Sequence, residues 1–404
     1  MKKLNKTIEE KYNNLVKDES NKLAKFLKRR RIELGLTLES VSEGICSTSY
    51  LSKIENCQVE VDATYFTLLF EKLDLDYDKV LETRNVPIYQ EVIKAYLNND
   101  KAYIKNKVNL LVDDNNYCET EVELLVLFYS LMENYLKEAK KTIQKIELTS
   151  NTLLEEELQI FAYLTNEFYY RCGSIKNMLK GMSILKRNNF DNELLRIAYL
   201  STLTNYYYEL GDGSNFNYYY QKIKNSDYAV AIPRVLEKCQ LQELCLRSKN
   251  ALDDMEEQFK LIKETISENN ADLYEYYYNV HLIIHEKYED VYNNLNGREL
   301  SQELMALLGL AVDKLQNMGK AYEYLKVLRE YTIKDHGFYS KLLEYLKLKL
   351  EQYSYGHLFV YLKNVLLSND LPAFIYDVLV KDFFYIAYEL GKYKEIVRFL
   401  NRKE

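Results

Sequence analysis

Only three prolines and 12 glycines interrupt the 404 residues of the chain. A proline inside a helix costs about 3 kcal/mol relative to alanine and a glycine about 1. A chain with so few of either, and with Leu, Lys, Glu and Ala dominating between them, has helix as its main outlet for backbone hydrogen bonding. An all-α protein with short connections is expected. The length exceeds that of a typical single domain, so two or more domains are expected as well.

Internal repetition decides what kind of helical protein this is. The segment Tyr385 to Leu400 reads as a helix ending in Leu390 and Gly391, with Tyr393 two residues later and a second amphipathic helix behind it. With Gly391 as a turn marker, comparable junctions fall at Asp100, Asn134, Gly173, Gly211, Ser248, Glu286, Gly319 and Tyr355, at intervals of 33 to 39 residues. This organisation looks like a run of tetratricopeptide repeats. Two-helix units of that size cannot bury their apolar faces alone and must stack. An α-solenoid of about nine tetratricopeptide-like repeats is expected over 86–404. An irregular solenoid is the alternative.

The first 85 residues do not share this period. Residues 1–19 form a charged extension, with Ile8, Tyr12, Leu15 and Val16 at helical spacing. In 20–85, apolar Leu23, Phe26, Leu27, Ile32 and Leu34 pattern a first helix that Gly35 stops. Thr37 is placed to cap a helix from Leu38 to Gly44, Ser47 to cap one reaching Glu55, and Asp62 to cap one from Ala63 to Leu73. A fifth spans Tyr77 to Thr83. Charge is concentrated here: between Ser20 and Asn56 seven basic residues face four acidic ones, a local +3 in a chain of formal charge -7.

The string from Leu36 to Gln58, and above all Ile45 to Glu55 (ICSTSYLSKIE), resembles the Xre-type helix-turn-helix. It is most similar to the version in peptide-responsive regulators of Gram-positive bacteria, the group of Rgg, PlcR, NprR and PrgX with the DNA-free Rap proteins. The resemblance implies a five-helix domain over 20–85 whose third helix enters the major groove of double-stranded DNA. Ser47, Thr48, Ser49, Tyr50 and Lys53 would then lie near bases or phosphates, with Arg29, Arg30 and Arg31 near the backbone. Hydroxyls and N–H groups at a helix N-terminus suit an anionic partner. Two positions depart from the family pattern: Leu38 stands where Gln is frequent, and Cys57 where Gly usually closes the third helix. A bundle that has lost DNA contact and mediates association is the alternative.

By the same resemblance, positions two, three, six and ten before each turn marker face the concave side. They select Tyr163, Glu167, Tyr170 and Arg171, then Asn205, Tyr208 and Glu209, then Lys238 and Gln242, Asp313, Gln316 and Asn317, and Lys349 and Gln352. The related regulators hold the backbone of an extended peptide with asparagines on these helices. An amide suits the task because it matches a peptide N–H and C=O together. Asn205 is the first candidate, with Asn166 and Asn279 one position off the register. The 86–404 region is thus expected to bind a short signalling peptide and to dimerise.

Several functions are not expected. His281 and His285 stand four apart with Glu286 alongside, but in the order HLIIHE, not that of a zinc protease. No phosphate loop, nucleophile elbow or paired-cysteine motif occurs, so neither enzyme nor cofactor or metal site is expected. The six cysteines form no CxxC pair, no signal-like leader is evident, and no apolar run suits a membrane. A cytoplasmic homodimeric regulator, binding promoter DNA under control of a peptide, is the reading. A scaffold that binds or modulates a signalling protein, as Rap proteins do, is the alternative.

Overall fold

The computed structural model describes residues 19–85, 88–112, 114, 116–150, 153–172, 177–178, 192–248, 255–333, 337–368, 371 and 373–401. Gly173 and all of 1–19 except Glu19 lie outside them. Every regular element among the described residues is a helix. The chain divides into two compact units, Met1–Thr165 with Ile184–Leu195 and Asn166–Ser183 with Arg196–Glu404.

The first unit begins with five helices, over 19–33, Leu38–Ser42, Thr48–Glu55, Ala63–Glu71 and Tyr77–Asn85. Their starts are set by side-chain caps. Thr37 Oγ1 accepts from Ser40 N at 3.1 Å, Ser47 Oγ from Tyr50 N at 3.1 Å, and Asp62 Oδ1 from Thr64 N at 2.9 Å. Leu23, Phe26, Leu27, Val41, Leu51, Ile54, Phe66, Leu69, Phe70 and Val80 close over one another as their core. Two expectations shift. The second helix stops at Ser42 because Gly44 turns left-handed (φ 78°), and Ile32 and Leu34 are each 45 % exposed instead of joining the core. Cys57 also takes a left-handed conformation (φ 56°), and Gln58 N bonds back to Lys53 O at 2.9 Å, ending the third helix where a glycine would ordinarily sit.

The same unit continues with helix pairs Ile88–Leu97 with Lys101–Val112 and Glu119–Met132 with Leu136–Thr149. The five-helix head is fastened to these later segments. Cys118 joins the head's apolar core, Glu119 N donates to Glu33 at 2.8 Å, and Lys25 Nζ donates to Leu153 O at 2.9 Å.

In the second unit, helix Gly213–Lys224 is followed by Pro233–Ser248 with Glu256–Thr265, Ala271–Ile284 with Tyr288–Leu295, Gln302–Leu315 with Met318–Glu330, Gly337–Leu350 with Tyr355–Ser368, and Ala373–Glu389 with Tyr393–Leu400. Phe259, Val291, Leu307, Leu342, Tyr345, Leu362 and Phe383 belong to one continuous core. The first helix of one pair packs on the first helix of the next, as Pro233–Ser248 does on Ala271–Ile284 and Gln302–Leu315 on Gly337–Leu350. Gly309 permits one close approach: a Cβ there would collide with the ring and hydroxyl of Tyr324, which donates to Met305 O at 3.1 Å.

Paired helices are joined by a residue in the left-handed region: Asn99 and Asn134 in the first unit, and Gly211, Glu286, Gln316, Gln352 and Gly391 in the second. In most of these turns the next N–H bonds back across the helix end, as Tyr135 N does to Ser130 O at 2.8 Å and Lys287 N to Leu282 O at 2.9 Å. These turns agree with markers at Asn134, Gly211, Glu286 and Gly391 and lie next to the one at Asp100. They correct two others. Gln316 makes the turn assigned to Gly319, and Gln352 the turn assigned to Tyr355, a displacement of three residues in each case.

Candidate nucleic-acid interface and ligand face

The N-terminal turn of the Thr48–Glu55 helix presents Thr48 and Ser49 to solvent beside the capping Ser47, and Lys53 lies exposed one turn further on. Tyr50 is half-buried, its ring edge-on to Tyr65 at 5.4 Å. Exposed hydroxyls and N–H groups at a helix start, followed by a lysine, can hold a phosphate or reach a base edge.

The arginines behave differently from the expectation. Arg29 is buried, and its guanidinium forms a two-pronged ion pair with Glu157, one arm at 3.2 Å. Burial opposes that charge, and Glu157 more than restores it, holding the guanidinium fully protonated. Glu157 is itself held below the usual carboxylate range although burial pushes it up, because Arg29, Leu154 N and the Tyr89 hydroxyl all bond it. Arg29 therefore cannot lie on a DNA backbone in this arrangement. Arg31 is turned to Glu55, at 2.6 and 2.7 Å, and to Leu36 O at 2.9 Å, and Arg30 approaches Glu33 at 3.3 Å. All three guanidiniums thus have carboxylate partners within the unit.

In the second unit the register residues from successive first helices meet. Tyr170 donates to Glu209 Oε1 at 2.5 Å, Thr202 to Glu167, and Gln242 Nε2 to Asn205 Oδ1 at 3.0 Å. Arg171 approaches Glu167 at 3.8 Å. Asn166 is buried, with its Nδ2 lacking a hydrogen-bond partner among the described residues. Burial pushes the Glu209 carboxyl up to about 7, with Glu167 adding to the effect and the Tyr170 hydroxyl and Lys238 opposing it. The Lys238 ammonium is lowered by burial. A cavity of about 30 Å³ opens here, lined among others by Tyr208, Glu209, Cys245, Tyr276, Val280 and Tyr339. Tyr208, Glu209, Cys245, Leu246, Tyr276, Val280 and Ile284 stand two, three, six or ten residues before Gly211, Ser248 or Glu286, so the repeat register itself generates this lining. Tyr163 belongs to the first unit, buried with its ring perpendicular to that of Tyr96.

Further along, Asp313, Lys349 and Asp382 form a chain across three first helices. Lys349 Nζ lies 2.7 Å from both carboxylates, and Asp382 also takes the Tyr345 hydroxyl at 2.8 Å and Lys314 at 3.3 Å. Burial works against the Lys349 charge, but the two aspartates outweigh it and raise its pKa. Asp382 and Lys314 are not selected by the sequence register, whereas Tyr345 stands ten residues before Tyr355. Asp382 lies nine residues before Gly391, next to the tenth position that the register picks out.

Four amide candidates are placed elsewhere. Gln316 is the left-handed turn residue, and Asn317 caps the following helix by accepting from Gly319 N and Lys320 N at 3.0 and 3.1 Å. Gln352 likewise occupies a turn. Asn279 is buried, donates to Glu275 O at 2.8 Å and accepts from Asn294 in its partner helix, so it faces into the pair. His281 and His285 converge on one hydroxyl, Ser248 Oγ, at 2.5 and 2.9 Å. Glu286 is at the turn, and no cluster suited to a metal occurs among the described residues.

No protein-family model matches the chain, and no curated protein or solved structure is significantly similar to it.

Proposed function

We propose that this chain is a cytoplasmic DNA-binding regulator in which a helix-turn-helix head is controlled by a short peptide held on a face of tetratricopeptide-like helix pairs. The reading rests most on one observation: register positions of consecutive first helices converge on a polar and aromatic face centred on Asn205, Gln242, Tyr170 and Glu209. Two amides that bond one another, Asn205 half-buried and Gln242 buried beneath it, hold the donor and acceptor that a peptide backbone requires. The exposed start of the Thr48–Glu55 helix supports the DNA half of the reading. A homodimer reading paired half-sites completes the proposal, with the peptide shifting the head's equilibrium by about 1–3 kcal/mol.

The test is a titration of the purified chain with short peptides encoded beside its gene, repeated with Asn205→Ala. Unchanged affinity in the variant removes Asn205 from the site. The internal pairing of Arg29, Arg30 and Arg31 favours a second reading, a scaffold that binds a signalling protein with the head as an association module. Salt-sensitive binding to the chain's own upstream DNA separates the two, because only the regulator needs it.

A further inference from the structure

The cavity beside Glu209 is chemically unbalanced. Glu209 Oε1 takes the Tyr170 hydroxyl, whereas Oε2 is buried and makes no hydrogen bond among the described residues. Among the described residues, no lysine or arginine comes within ion-pair distance of this carboxyl; Lys238 and Glu167 act on it only through space. Around it stand aromatic rings, Tyr208, Tyr276, Tyr339 and Phe374, with the hydroxyls of Tyr276 and Tyr339 bonded to each other. A carboxylate edge without a donor, set among π faces, lacks a cation. The cavity is small, about 30 Å³, and a primary ammonium brings to Oε2 the N–H donors that a quaternary ammonium lacks.

We propose that Glu209, walled by Tyr208, Tyr276, Tyr339 and Phe374, is a subsite for one primary ammonium group of the peptide ligand. The assignment rests on the reading of this face as a peptide site. The amino terminus of a peptide and a lysine side chain carry the same group, and either satisfies the geometry. With Glu209 ionised, the ammonium donates to Oε2 while Tyr170 keeps its bond to Oε1.

The probe is methylammonium, followed by saturation-transfer NMR on the full chain at pH 8, with tetramethylammonium as the control that carries the charge but no N–H donor. Wild type is expected to give a methylammonium signal that falls about tenfold in Glu209→Gln, and none specific to Glu209 with tetramethylammonium. The glutamine keeps an acceptor for Tyr170, and circular dichroism checks that the variant is folded. Displacement of methylammonium by pentaalanine amide with a free amino terminus assigns the subsite to the chain start. Displacement only by an acetylated analogue with a central lysine assigns it to a side chain. Equal methylammonium signals in wild type and Glu209→Gln overturn the proposal and leave the cavity to water, and failure of both peptides to displace the amine overturns its assignment to a peptide. The peptide face is judged separately, by whether acetylated pentaalanine amide binds wild type and loses affinity in Asn205→Ala.

Discussion

Arg29, in the first helix of the head, and Glu157, 128 residues later, form a buried ion pair in which both guanidinium arms engage one carboxylate. The head is therefore built into the later helices of its own unit. Removing one partner strands the other charge in the interior. Arg29→Ala and Glu157→Gln are each expected to lower unfolding free energy by about 3–5 kcal/mol, as read from urea denaturation. A loss below about 1 kcal/mol in both would mean that the pair is solvated. Stability from Glu157 is present above its unfolded pKa and is lost as pH falls through the lower folded value, so acid should narrow the gap between wild type and Glu157→Gln.

Lys53 offers the contrasting case. It is exposed, so Lys53→Ala should leave the melting temperature unchanged while reducing the salt dependence of DNA binding by about one phosphate contact. A gel-shift series across salt concentrations gives both affinity and slope. An unchanged slope would remove Lys53 from the interface.

Much of the head is readable in residues that act locally. Thr37, Ser47 and Asp62 cap the helices that their positions announce, because a cap involves only the next two or three residues. The partner of Arg29 is distant in sequence, and counting charge within Ser20 to Asn56 cannot reveal it. The repeat period is equally legible where a glycine marks the turn, at Gly211 and Gly391. Where Gln316 and Gln352 adopt the left-handed conformation, residue type carries no such signal, and the register slips by three residues. That slip is why Gln316 and Asn317 look like ligand contacts in sequence but form a turn and a cap in the fold.

Cys57 should be improvable. Its left-handed φ of 56° costs a side-chain-bearing residue about 1 kcal/mol that glycine avoids. Cys57→Gly is expected to raise stability by up to about 1 kcal/mol, less whatever packing the thiol contributes. Thermal melts of the two proteins decide the sign.

Gly309 should tolerate nothing larger. Alanine there meets the Tyr324 ring and Leu346, both in the core, so Gly309→Ala is expected to destabilise by about 1–3 kcal/mol. Tyr324→Leu removes the hydroxyl that crowds this site, and the double variant should recover part of the loss, measured as a double-mutant cycle.

Glu209 makes stability depend on pH in the opposite sense to Glu157. Its folded pKa of about 7 exceeds the unfolded value, so its contribution is complete in acid and disappears as pH rises through about 7. The difference in melting temperature between wild type and Glu209→Gln should therefore move in the variant's favour between about pH 5 and 8. A difference that stays flat would show the carboxyl to be freely solvated.

Asn205 and Gln242 meet amide to amide, each bearing the same donor and acceptor pair as a main-chain peptide unit. A strand of polypeptide that wedges between them exchanges one such contact for two of the same kind. Under the proposed peptide reading, prising the pair apart demands rearranged geometry without any net sacrifice of bonding, so selectivity would have to come from whatever side groups that strand carries.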